Sequence, residues 1–353
     1  MKRNKAVTIY DIAQALNISP TTVSRALKDH HSISQETTEA VKKMAQQLGY
    51  RPNSMASSLR KSETKTIGVI MPLINRQFIA SLISGIEECA NQKGYNVILS
   101  QTHDSYEKEV ANAQTLYCSR VDGLIVSLAM ETMQYDHFDA FLQNNIPIVG
   151  VDRVTEEMET DRVIIDNFAA SFKATEHLIM MGCQRIAHLG GALHRNIYQG
   201  RQEGYLAALK QYNLPVDETL IVRSKLGIKE GDAGAKYLLD LAHPPDGIFS
   251  ANDSAAVGAI QHAKQRGITI PEELAIVGFN DDPIASISEP GLTSVSHPAF
   301  DMGKIAAQQV LKSRSNKGTV QSQTIVLKTD LVLRASSLRK PVAQPSAPLL
   351  PLA

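Results

Sequence analysis

Six places along the chain gather residue types that make directed hydrogen bonds: Pro72 to Phe78, Asp152-Arg153, Asp166-Asn167, the 190–201 loop, Asn252-Asp253, and Asn280-Asp281-Asp282. Carboxylates accept, guanidinium groups donate in pairs, amides do both, and Phe78 adds an aromatic face. Such a set suits a hydroxyl-rich ligand such as a sugar. Asn252 and Asp166 are equally suited to cap the helices that follow them. No nucleophile or metal set accompanies the carboxylates, and the sequence holds no GxGxxG after its first strand, no phosphate-binding GxxxxGKS or GxxxxGKT, no GxSxG and no HExxH. Neither catalysis, a cofactor nor a metal is expected. Cys89, Cys118 and Cys183 are scattered and odd in number, which fits reduced thiols in a cytoplasm. The pair His30-His31 has no further ligand at useful spacing and reads as a solvated loop.

Short apolar runs precede most of these groups and must position them. Ile67-Gly-Val-Ile-Met71, Asn96-Val-Ile-Leu99, Leu124-Ile-Val126 and Ile146-Pro-Ile-Val149 alternate with helical patterns over 79–93, 105–117 and 135–143. The theme restarts with Val163-Ile-Ile165, Arg185-Ile-Ala-His188, Gly247-Ile-Phe249 and Leu274-Ala-Ile-Val277, with helices over 167–181, 198–212, 229–241 and 252–266. Repeated β–α units imply parallel sheets covered by helices. The reading is an α/β chain with two doubly wound parallel-sheet subdomains of the periplasmic-binding-protein type, broken near 152–161. Ligands in such folds bind beyond the carboxyl ends of the strands, here in the cleft between subdomains.

A different chemistry opens the chain. Ile9, Ile12, Ala13 and Leu16 share one helical face, and a break follows at Asn17-Ile18. Ser19 is placed as an N-cap with Pro20 at the first helical position. Val23, Ala26 and Leu27 then point inward, leaving Thr21, Thr22, Ser24 and Arg25 outside. This is a helix-turn-helix pattern, whose second helix fits the DNA major groove. A third helix begins at Ser34, buries Val41, Met44, Ala45 and Leu48, and ends at Gly49.

Residues 1–65 carry eleven Lys or Arg against five Asp or Glu, whereas 66–353 carry 25 against 31. A basic head on an acidic body suits a polyanion held at one end. Between them, Pro52 to Arg60 spells a two-turn helix that would be mostly unfolded alone. Either it is a linker packed on a domain, or a hinge that orders on DNA with Leu59 wedged between base steps. No apolar run of 18 residues exists, and no apolar stretch follows the charged Met1-Lys-Arg-Asn-Lys5, so neither a membrane span nor export is expected and the location is read as cytoplasmic.

Val7-Thr-Ile-Tyr-Asp-Ile-Ala13, Ile18-Ser-Pro-Thr-Thr-Val-Ser-Arg-Ala-Leu27 and Leu48-Gly-Tyr-Arg-Pro-Asn53 resemble the head and hinge of the LacI/GalR family of bacterial transcription regulators. The resemblance continues through Val121-Asp-Gly-Leu124, Val151-Asp-Arg153, Ala251-Asn-Asp253, Val277-Gly-Phe279 and Pro290-Gly-Leu-Thr293, covering about residues 6–335. It implies a homodimer on a pseudo-palindromic double-stranded operator, controlled by a small-molecule effector in the cleft. Carried over, Pro20, Thr21 and Arg25 face bases, while Thr8, Tyr10, Ser19, Ser24 and Asn53 hold phosphates. Leu59 becomes the minor-groove wedge, so the hinge reading is preferred. Phe78, Asp152, Arg195, Arg201, Asn252 and Asn280 fall at effector positions. Asn280 stands where the family usually has Asp, so the position can donate as well as accept. A carbohydrate or its phosphate leads; a purine is the alternative, with no second aromatic clamp evident.

The domains are expected at 1–51 (head), 52–65 (hinge and linker), 66–335 (effector binding and dimerisation) and 336–353 (flexible tail). Helices 79–93, 229–241 and 252–266 are the interface candidates by resemblance. The Pro-rich tail lacks heptads, favouring a dimer over a coiled-coil tetramer. A repressor is the leading reading. The rivals are a solute-binding protein with no transcriptional role, and an enzyme on the same fold.

Overall fold

The computed structural model describes residues 7–50, 63–315 and 322–339, which divide into two units at 64/65. The segment expected as a hinge, with Asn53 and Leu59, lies outside the described residues.

In the first unit, α1 (Ile9–Leu16), α2 (Pro20–Ala26) and α3 (Gln35–Gln47) bury Ile12, Ala13, Val23, Ala26, Val41 and Ala45 together. Thr8 and Asp11 close the start of α1, with the Thr8 N–H donating to the Asp11 carboxylate at 2.7 Å. Asn17 takes φ 52 to end that helix, a conformation Asn tolerates better than most side chains. The Ser19 hydroxyl accepts from Thr22 N at 3.1 Å and starts α2. Leu48, expected in the buried stripe of α3, is 38% exposed because it sits at the C-cap, where the chain turns away.

The second unit holds two six-stranded sheets. The first contains β1 (Thr66–Met71), β2 (Asn96–Gln101), β3 (Gly123–Val126), β4 (Ile148–Val151), β5 (Asp161–Ile165) and β11 (Thr324–Leu327), in the order β11-β5-β4-β3-β1-β2. The second contains β6 (Ile186–Gly190), β7 (Ile221–Arg223), β8 (Gly247–Ser250), β9 (Ala275–Asn280), β10 (Thr293–Ser296) and β12 (Leu331–Val332), in the order β12-β10-β9-β8-β6-β7. Among the described residues all strand pairings are parallel except β10 with β12. Buried Val, Ile and Leu fill the central strands because helices cover both faces.

Helices α4 (Gln77–Gln92) and α5 (Tyr106–Cys118) belong to the first half, with the short α6 (Asp139–Gln143). Helices α7 (Asn167–Met180), α8 (Asn196–Gln211), α9 (Ile228–Leu239), α10 (Asp253–Gln265) and the short α11 (Pro283–Ile287) belong to the second. The last helix, α12 (Ala299–Ser315), returns to the first half and packs on α4. There Gly85 faces the Phe300 carbonyl and Gly303 the Leu82 carbonyl, each closer than a Cβ would permit.

Two boundaries differ from the sequence reading. The chain leaves the first sheet after Ile165 rather than within 152–161, since β5 pairs in parallel with β4 through Val149↔Asp161 and Val151↔Val163. It crosses again between β10 and α12, and between β11 and β12. Residues 336–339, expected in the flexible tail, are docked: Ser336 and Ser337 are fully buried, and Ser336 Oγ donates to the Ile276 carbonyl at 2.6 Å.

Candidate functional site

The segments that follow β1 to β4 in one half and β6 to β10 in the other line a cavity of about 600 Å³. Phe78, Asp152, Arg201, Asn252 and Asn280 all stand in its wall. Arg195 does not. It is buried at the start of α8 with its guanidinium donating to the Thr132 carbonyl. Its place among charged wall residues is taken by Arg153, whose Nη1 lies 2.5 Å from Asp104 Oδ1.

Each wall residue is held by a specific local device. Asp152 follows β4 at φ 62 and borders the cavity. That carboxyl has no hydrogen-bond partner among the described residues, and burial raises its pKa against the opposing pull of Arg153 and Arg201. Arg201 donates from Nε to Asn167 Oδ1 (2.8 Å) and from Nη1 to the Ala251 carbonyl (2.6 Å), and its guanidinium covers Phe279 at 3.7 Å. Burial pushes its pKa down to about 10, with Asp152 pulling the other way. Asn252 caps α10, accepting from Ala255 N at 2.9 Å, and donates to the Leu226 carbonyl at 2.9 Å. The capping alternative weighed for it is therefore realised, and it borders the cavity as well.

Phe78 stacks against His297, ring centroids 4.1 Å apart, and burial followed by the nearby Arg201 holds the imidazole well below its ordinary pKa. His297 and Lys225 reach the wall from connections that were not singled out in the sequence, and Glu230 from the first turn of α9, a helix expected there only as an interface candidate. The first two follow β10 and β7, strands of four and three residues that leave little periodicity to read. Tyr198 supplies a second aromatic side chain in the wall. Cationic Arg76, Arg153, Arg201 and Lys225 meet anionic Asp104, Glu131, Asp152, Glu230 and Asp282, so no excess of positive charge awaits an anion. Among the described residues no cluster of His, Cys, Asp and Glu could hold a metal ion, and no helix is long and apolar enough to cross a membrane.

The head presents a second surface. Thr8, Tyr10, Ser19, Thr21 and Arg25 are exposed, and Pro20 and Ser24 are partly so. Tyr10 is 68% exposed although it lies on α1, because it points opposite to Ile12 and Ala13. The Thr8 hydroxyl donates to Asp11, and Ser19 is engaged in capping.

Residues 8–53 match the family model for bacterial regulatory proteins of the lacI family, and residues 175–337 match that for a periplasmic binding protein-like domain. The catabolite control protein A of Priestia megaterium is 33% identical, covering 94% of this chain and 99% of its own length. The transcriptional repressor CytR of Escherichia coli K12 is 30% identical over 96% of this chain and 99% of its own. The chain belongs to the lacI family. As a LacI-type chain it is a DNA-binding transcriptional regulator. A lac repressor dimer bound to operator shares the fold, with a TM-score of 0.84 at 23% identity over 95% of this chain and all of its own. A complex of the regulator CelR with cellobiose gives a TM-score of 0.71 at 27% identity, covering 94% of this chain and 99% of its own.

Proposed function

We propose that this LacI-type regulator is a cytoplasmic repressor that binds a pseudo-palindromic operator as a homodimer and carries out no catalysis. Pro20, Thr21 and Arg25 face the bases; Thr8, Tyr10, Ser19, Ser24 and Asn53 hold phosphates, and Leu59 enters the minor groove. Arg25 pairs with a guanine edge, and Pro20 and Thr21 read a thymine methyl or local shape. Exposed Ile98 and Leu99 on the edge strand β2, and Ile228 and Tyr237 on α9, supply apolar surface for the dimer. Helix α10 contributes less than its place in the sequence suggested, being largely buried against α9.

The effector is a sugar-like molecule held between the halves by Phe78, Asp152, Arg201, Asn252 and Asn280. The observation that carries this reading is the unpartnered, buried Asp152 carboxyl in a wall of balanced charge. A carboxyl accepts from vicinal hydroxyls, and an aromatic face packs on a sugar ring. The charge balance favours a neutral sugar over its phosphate, and the cellobiose held by CelR is of that neutral kind.

Selection of bound sequences from random duplex DNA, with and without a panel of neutral sugars and their phosphates, tests the reading. A two-fold symmetric site is expected, with occupancy changed by at least one neutral sugar. An absence of sequence preference, or a response to phosphate esters alone, overturns it.

A further inference from the structure

One short segment joins the halves of the effector unit without entering the cavity. His194, Arg195 and Asn196 stand where the loop after β6 enters α8. Asn196 Oδ1 accepts from Val154 N at 3.1 Å, and its Nδ2 donates to the Asp152 carbonyl at 3.1 Å. Its amide thus grips backbone on both sides of Arg153 and holds the turn in which Asp152 adopts φ 62. Alongside, the Arg195 guanidinium donates to the Thr132 carbonyl, and His194 Nε2 lies 2.6 Å from the Met130 carbonyl. The receiving loop is pinned in turn by a buried carboxylate. Glu109, fully buried on α5, accepts from Ala129 N at 2.6 Å and from Thr132 Oγ1 at 2.8 Å.

We propose that Asn196, aided by His194 and Arg195, is a positioning element that clasps the two halves shut before any ligand arrives. This rests on the cavity being the effector site. The clasp sets Asp152 and Arg153 of one half in register with Arg201 of the other, so the wall is assembled from backbone contacts that the ligand never touches. A ligand selects among closures already weighted by this segment. Loss of the paired amide contacts shifts the closed-to-open ratio about tenfold toward open.

The test uses the full chain without DNA or sugar, so a wrong effector assignment leaves its result unchanged. Exposed Cys118 in the first half and a cysteine introduced by Lys210→Cys in the second carry spin labels; Cys89 and Cys183 are buried. Labelled protein is diluted with unlabelled chains, and pulsed electron–electron resonance reads the distance between labels. The parent protein gives one closed distance. Asn196→Asp places a carboxylate against the Asp152 carbonyl and moves the population to a different, open distance. Acidification returns the lost donor to the new side chain and restores the closed distance, which a mere packing defect would not do. Asp152, Arg153 and His194 are the ionisable neighbours and are common to both proteins, so the parent at the same pH is the control. Arg195→Ala shifts the population in the same direction. A parent already spread over both distances, variants with the parent's distribution, or an opening that acid does not reverse would overturn the proposal.

Discussion

The Phe78 ring and the His297 imidazole stack 4.1 Å apart at an interplanar angle of 33°, although α4 and the β10 end lie in different halves of the effector unit. Phe279 meets His297 edge-on at 6.2 Å, completing an aromatic layer beneath the cavity. Burial and the Arg201 charge keep the imidazole neutral, so this is a stack between uncharged rings. The halves are therefore joined by a hydrophobic contact on this side and by hydrogen bonds between the Asn196 side-chain amide and backbone groups.

Phe78→Ala removes one ring of the stack and enlarges the cavity. A cost of about 2 kcal/mol is expected for the effector unit, below the value for a fully enclosed Phe because one side of the ring already borders open space. Urea unfolding followed by circular dichroism measures it. A change within about 0.5 kcal/mol would show that the stack contributes nothing.

Gly303→Ala tests the seam between α12 and α4. A Cβ at Gly303 meets the Leu82 carbonyl of the facing helix, a backbone atom that cannot swing aside. Overpacking of this kind costs about 1–3 kcal/mol, a loss expected in the midpoint of thermal unfolding. The exposed-helix control Gln308→Ala should leave that midpoint almost unchanged. Equal midpoints for both variants would refute the seam.

That seam also marks where sequence reading stopped. The central strands were legible because Val, Ile and Leu runs such as Ile67–Met71 are buried on both faces. Helix α12 leaves a fainter signal. Its buried face is Ala299, Met302, Gly303, Ala306, Ala307 and Val310, mostly small residues chosen for close approach, so the apolar stripe has little amplitude. Strand β11 is faint in the sequence because it lies at a sheet edge with half its side chains exposed. Five of the six expected effector residues border the cavity because they sit just at or past strand carboxyl ends (Asp152, Asn252, Asn280) or in the first two turns of the helices that follow (Phe78, Arg201). Arg195 shows the limit: its type and loop were suited to ligand binding, but the direction of its long side chain depends on the Thr132 carbonyl of the other half.

Asp253 makes stability fall as pH rises from about 3.8 toward 8. Burial, reinforced by Asp282 and Asp281, pushes its carboxyl up to about 8 against hydrogen bonds from Ser294 Oγ (2.6 Å) and Asp282 N (2.7 Å). The folded chain then keeps a proton that the unfolded chain, titrating near 3.8, gives up. Its stabilising effect is complete below 3.8 and is lost as pH rises through 8. His188 acts in the opposite sense: burial lowers it to about 4, so stability is lost as pH falls from 6.5 toward 4. Between about 6.5 and 8 the Asp253 slope is expected to stand without the His188 one. Asp253→Asn should flatten unfolding free energy across that window, as measured by urea titrations at successive pH values. An unchanged slope would show that Asp253 is ionised in the folded protein.

Arg25 and Tyr10 should fail in different ways. Among the described residues the Arg25 guanidinium has no hydrogen bond or ion pair, whereas Lys42 is tied to Asp29 at 2.6 Å. An exposed, uncommitted guanidinium on the second helix of a helix-turn-helix is free to pair with the two acceptors of a guanine edge. Arg25→Ala should therefore cost about 1–3 kcal/mol on the preferred operator and almost nothing on an operator changed at the contacted base pair. Tyr10, projecting from the first helix, faces the sugar–phosphate backbone in this reading. Tyr10→Phe removes only the hydroxyl and should weaken all duplexes by a similar factor, leaving the ranking of operators intact. Fluorescence anisotropy on a set of single-base operator variants, run at one fixed salt concentration, separates the two patterns. If Arg25→Ala lowered affinity evenly across that set, its contact would be with phosphate and the recognition helix would read sequence through other side chains.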